Sequence, residues 1–201
     1  MAALEGLFMA DNAMLFVPRA LERCPGEARL HLAHAIVSEQ QWLRGTAGPN
    51  QDADVLTQYE TAIKYPETSA EARMRGAWFL CRAGKLDQAQ AMIDGVQPPP
   101  TDRYVLYLTD LVRGQILRAR GRSDEAAAAY RSALDTWPTA QSARVALMTL
   151  LLGHGDRQGA ATLAQAAETA PDGQFDPWWT YWLGDYRVYP AIRAKLRELG
   201  Q

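Results

Sequence analysis

The sequence predicts an all-α protein, an α-solenoid of stacked antiparallel helix pairs. Three observations carry that reading. Gly121, Ala126 and Ala133 recur as Gly155, Ala160 and Ala167, each pair 34 residues apart, so small residues return where two helices must touch. Amphipathic stretches of helical length alternate with short glycine-containing breakers at Gly45, Gly84, Gly121 and Gly155. An Ala-Arg-apolar triplet also follows a proline by a few positions three times, as Ala28-Arg29-Leu30, Ala72-Arg73-Met74 and Ala143-Arg144-Val145. On the register these triplets set, Leu32, Ala33 and Ile36 correspond to Leu147, Met148 and Leu151.

The elements follow in order. Ala2 to Ala10 is a short apolar helical stretch, and a second runs from about Asn12 to Arg23 with Pro18 expected to break or kink it. The first seventeen residues read as a degenerate half-repeat that caps the array. Paired helices are then expected over 28–44 and 52–64, 69–83 and 86–94, 102–120 and 123–135, and 140–152 and 156–169. The loop 45–51 is longer than the usual turn, and Pro98-Pro99-Pro100 is a stiff connector that absorbs the extra residues between Gly84 and Gly121. Ser123 reads as an N-cap. In the tail, Asp176-Pro177 opens a short aromatic helix from Trp178 to Leu183 that ends at Gly184, and Pro190 starts a last helix over 191–199. The division is therefore a repeat domain over 1–175 and capping helices over 176–201, packed on the last repeat.

The stretch from Asp110 to Pro138 resembles the tetratricopeptide repeat. The match covers Gly114, Ala126 with Tyr130 four later, Ala133 and the closing Pro138, while Asp110, Arg113 and Leu117 stand where the family has Trp, Leu and Tyr. The resemblance implies a right-handed solenoid whose first helices line a concave groove, and a role in binding other proteins. One ladder of groove positions reads His34, Trp78, Gln115 and Thr149, and its neighbour reads His31, Arg75, Val112 and Ala146. Arg82 and Arg118 stand near the far ends of their helices. The family's chaperone-binding members grip a C-terminal carboxylate with Lys and Asn at such positions. Neither type occurs on these helices.

Composition narrows the function classes. At 201 residues and 48 % hydrophobic the chain can bury a sizeable core unaided, and a net charge of -2 with a pI near 5.9 argues against nucleic-acid binding. Arginine far outnumbers lysine, a bias of GC-rich bacterial genomes. Cys24 and Cys81 form no metal spacing or disulfide framework and read as small buried residues in a reducing compartment. No basic segment precedes an apolar run at the start, and no 18-residue apolar stretch occurs, so a cytoplasmic setting without membrane is expected. A segment lost upstream is left open.

No nucleotide loop, nucleophile elbow or zinc signature is present. His31 and His34 share a helix face, but no motif places a third ligand, so neither metal nor cofactor is expected. Arg75, Trp78 and Arg82 form one stripe of a helix, two cations around an indole, which is expected to face solvent in the groove; the alternative is that the arginines pair with nearby acids such as Glu71. The expected function is a non-catalytic scaffold or adaptor holding a peptide or helix of another protein, acidic in character. The expected contacts are His31, His34, Arg75, Trp78, Arg82, Gln115, Arg118 and Thr149. The alternatives are a small-ligand binder or enzyme using the His31, His34 and Trp78 region, and a structural subunit of a larger assembly. The aromatic tail reads as a cap over the last pair, with a partner surface as its alternative.

Overall fold

The computed structural model describes residues 15–45, 51–99, 101–168 and 176–181. Helix α1 occupies 15–23, and the pairs that follow are α2 (Ala28–Leu43) with α3 (Gln51–Ile63), α4 (Pro66–Arg82) with α5 (Leu86–Asp94), α6 (Arg103–Ala119) with α7 (Ser123–Thr136), and α8 (Gln141–Gly153) with α9 (Arg157–Glu168). A 3-10 turn, Pro177–Thr180, comes last among the described residues. Each helix packs on its pair mate, each second helix packs on the next first helix, and α2, α4 and α6 touch in succession along one face. That face is the concave wall of an all-α solenoid.

The turn inside each pair is built by glycine. Gly45, Gly84, Gly121 and Gly155 all adopt φ between 65 and 79°, a conformation in which a Cβ is strained. In three of them the amide after the glycine bonds the carbonyl five residues back, Lys85 to Leu80, Arg122 to Leu117 and Asp156 to Leu151, each at 2.9 Å. This is the Schellman closure, which satisfies the last carbonyls of the first helix and turns the chain back onto it.

Within pairs, small residues set how closely the helices approach. Ala126 and Ala133 are fully buried and Ala160 nearly so. The Tyr130 ring of α7 lies against Gly114 of α6, where a Cβ would collide with it. We expect Ala126→Leu to overpack this contact and cost about 1–3 kcal/mol, read by urea denaturation. An unchanged midpoint would contradict this packing. The family departures also have local causes. Asp110 accepts from Arg113 (2.7 Å) and from Ser132 of α7 (2.6 Å), a polar bridge across the pair, and Leu117 is buried.

Several expectations are corrected. Pro18 does not break the helix over 15–23, because a proline removes one backbone bond but keeps a helical φ. Helix α4 begins at Pro66 rather than at Ser69, since proline suits the first turn, where its missing N–H has no intrahelical acceptor. Ser123 is the first helical residue and makes no capping bond; Arg122 holds the cap position. By contrast Asp102 does cap α6, accepting from the Val105 amide at 3.1 Å. Cys24 and Cys81 are free and half-buried rather than buried, and burial pushes the Cys81 thiol up. The stretch expected over 2–10 and the last helix over 191–199 lie outside the described residues.

Candidate partner-binding groove

The stripe Arg75, Trp78 and Arg82 lies on α4, but it does not face open solvent. Residues 176–181 lie across it. Arg75 is 0 % exposed. Its Nε donates to Glu71 Oε1 at 2.9 Å, its Nη1 donates to the Tyr181 carbonyl at 2.8 Å, and its guanidinium stands 4.3 Å from the centre of the Tyr181 ring. Burial works against this charge, but the Glu71 carboxylate beside it outweighs that cost and holds the guanidinium protonated. The expectation of solvent exposure assumed that the cation would stay unpaired if buried. Glu71, one turn earlier, and the Tyr181 carbonyl remove that cost.

The rest of the segment is held as firmly. Asp176 is fully buried: its Oδ1 accepts from Tyr107 Oη (3.0 Å) and from the Trp178 amide (2.9 Å), and its Oδ2 accepts from the Ser142 amide at the start of α8 (2.6 Å). Burial and the Asp176 charge together push the Tyr107 hydroxyl far up. Trp178 meets Trp78 edge to face at 5.6 Å and stacks on Tyr181 at 4.8 Å. The anchors thus come from α4, α6 and α8. The aromatic helix expected over 178–183 is only the 3-10 turn Pro177–Thr180 among the described residues, and it sits on the concave face rather than over the end of the last pair.

Beneath Tyr181 lies a buried carboxyl group, which sequence reasoning did not single out as a site. Glu39 of α2 accepts from Tyr59 Oη of α3, and its Oε1 stands 3.9 Å from Arg82 Nη1. Burial raises its pKa to about 7, against the opposing pull of Tyr59, Arg75 and Arg82. Arg82 itself lies over two indoles, 5.6 Å from Trp42 and 5.9 Å from Trp78.

The first helix enters this face through Glu39 and not through the histidines. His31 Nε2 stands 2.8 Å from the Pro25 carbonyl and 3.0 Å from Tyr65 Oη, and its ring stacks on Tyr65 at 4.8 Å. His34 is half-buried and bonded to Gln58 of α3; burial, more than its neighbour His31, lowers its pKa. His34 therefore joins α2 to its pair mate, while His31 joins it to Tyr65 at the cap of α4. A signal for Glu39 existed: Glu39, Trp78, Gln115 and Thr149 each stand six residues before a left-handed turn glycine. The Ala-Arg-apolar triplet stands twelve residues before that glycine in α4 and α8 but seventeen before it in α2, so it misplaces the first helix.

Further along the groove, Arg118 and Thr149 are exposed and Gln115 is half-buried, with Arg118 Nη2 donating to Gln115 Oε1 at 3.1 Å. In the neighbouring ladder Val112 is fully buried and forms part of the core. Among the described residues, no group of three or more His, Cys, Asp or Glu side chains could hold a metal ion, and no helix is long and apolar enough to cross a membrane.

The model of the tetratricopeptide repeat-like domain matches residues 28–153, and the chain belongs to that family. Solved structures of MamA share the fold. The MSR-1 C2 form of MamA aligns with a TM-score of 0.52 at 14 % identity, covering 82 % of this chain and 95 % of that one. A mutant MamA aligns at 0.51 and 14 % identity, covering 84 % and 98 %. No curated protein sequence matches the chain. The family and the solenoid architecture point to a protein-interaction scaffold.

Proposed function

We propose that the protein is a non-catalytic scaffold whose concave face binds a peptide or helix of another protein. One observation carries this reading: a stretch of peptide already lies along that face, held by Arg75, Trp78, Tyr107 and the Ser142 amide from three first helices. A surface that seats one short segment by directional bonds has the donors to seat another. The strongly perturbed groups, Glu39, Tyr59, Arg75 and Tyr181, are covered and paired with one another, which favours binding over catalysis. The arginines and the site around Asp176 favour an acidic ligand, since guanidinium and backbone N–H groups both match carboxylates.

The test uses the exposed part of the groove, where substitution leaves the core intact. Arg118→Glu combined with Thr149→Arg is expected to keep helicity and melting unchanged and to weaken capture of the wild-type chain's partner at least about tenfold, as loss of a charged contact at an interface centre does. Undiminished capture by the double variant would move the partner site off the concave face.

A further inference from the structure

We propose that residues 176–181 are a built-in occupant of a peptide site, and that the site takes in exchange a partner protein's segment of matching chemistry. That chemistry is a carboxylate, an aromatic ring two residues later and a second ring five residues after the carboxylate. The inference rests on the concave face being peptide-binding, and it adds the ligand's character and its control.

The contacts that hold the segment can be reproduced by another chain. Asp176 receives two donors from the solenoid, Tyr107 Oη and the Ser142 amide. Trp178 and Tyr181 place their rings against Trp78 and Arg75, and the Tyr181 carbonyl takes Arg75 Nη1. The intervening Trp179 is 52 % exposed, so that position points away and leaves the pattern free there. A plug that only covered apolar surface would not need a buried carboxylate met by a hydroxyl and a helix amide. Directional, charge-assisted bonds define a recognition site.

The internal segment is also an imperfect ligand. Arg75 Nη2 and Trp78 Nε1 are both buried and find no acceptor among the described residues, so residues 176–181 themselves leave these donors unmet. Buried donors without acceptors weaken a complex, so a partner segment that adds an acidic or amide side chain within their reach gains over the resident one. Tethering compensates the resident segment by holding it at high effective concentration, and a partner's apparent affinity falls by the fraction of molecules whose site is open. The same attachment thus keeps the site filled until a better-matched segment arrives.

The probe is an end-blocked, labelled peptide, Asp-Pro-Trp-Trp-Thr-Tyr, titrated into the full chain. In a full-length variant with Asp176→Ala and Trp178→Ala, the peptide is expected to bind at least about tenfold tighter than to the wild type, because the internal competitor is weakened. A peptide with alanine in place of its aspartate should lose that gain. Should the variant lose helicity, a full chain cut at a protease site placed within 169–175 serves instead, its severed segment exchanging with the labelled peptide. Equal affinity for wild type and variant, or no binding by either the folded variant or the cut chain, overturns the proposal. So does a wild-type dimer that the peptide cannot break, which would make a second copy the occupant. If the partner captured by the wild type binds equally well whether or not the segment is loosened, the segment is purely structural, and the scaffold reading stands without this inference.

Discussion

Arg75→Ala is expected to destabilise the full chain by about 3–5 kcal/mol, the cost of removing one partner from a buried ion pair. The guanidinium is wholly covered, and it ties Glu71 on its own helix to the Tyr181 carbonyl 106 residues away. Removing it takes a buried partner from Glu71, an acceptor's donor from Tyr181 and a cation from beneath a ring. Arg75→Met, which keeps most of the aliphatic stem, separates packing from charge. Urea denaturation followed by tryptophan fluorescence reads both stability and the release of Trp178. A loss within about 1 kcal/mol for the alanine variant would mean that the pairing contributes no more than an exposed ion pair does. Arg75 is therefore a poor site for probing partner binding, and Arg118 and Thr149 are the better ones.

The second large effect is a pH dependence set by Glu39. Its pKa is raised by burial from 4.5 to about 7, with Tyr59, Arg75, Arg82 and Tyr181 as the titratable groups around it. The folded protein therefore binds this proton more tightly than the unfolded chain does. Stability from this group is full below pH 4.5 and falls as pH rises to about 7, where the loss levels off. The loss amounts to about 3 kcal/mol, from roughly 1.4 kcal/mol for each unit of pKa. Glu39→Gln keeps an oxygen for the Tyr59 hydroxyl but cannot ionise, so its stability should lack this fall. Parallel curves for wild type and variant across that window would show that Glu39 is ionised in the folded state at no cost.

Local chemistry made the helices legible. The turn glycines and the buried Ala126 and Ala133 act within a turn or a single helix pair, so their spacing alone locates the elements, whereas α4 starts at Pro66, three residues before the expected Ser69. The departures at Asp110 and Arg113 were visible as departures, but their resolution needed Ser132 of the next helix. The groove was only half legible. Trp78, Gln115 and Thr149 share one position relative to their turn glycines; counted from the glycine, the corresponding residue of the first helix is Glu39, whereas the Ala-Arg-apolar triplet points to His34. Counting from the glycine avoids that slip, because the left-handed turn fixes where the helix ends, while its beginning varies in length.

An all-α stack of four helix pairs, the breakers between them and the small residues at their crossings can all be read along the chain. Each of these depends on residues within about one repeat of one another. Which face of the first helices is covered, and by what, depends on contacts between distant parts of the chain. Arg75, Trp78 and Arg82 look solvent-facing when α4 is read alone, because an unpaired buried cation is forbidden by its desolvation cost. That cost is met by Glu71 together with a carbonyl supplied from Tyr181, and Asp176 is met by Tyr107 and the amide of Ser142. Glu71 lies one turn before Arg75 on the same helix, but no helical period connects Arg75 to Tyr181 or Asp176 to Tyr107 and Ser142; these groups meet only where residues 176–181 cross the first helices.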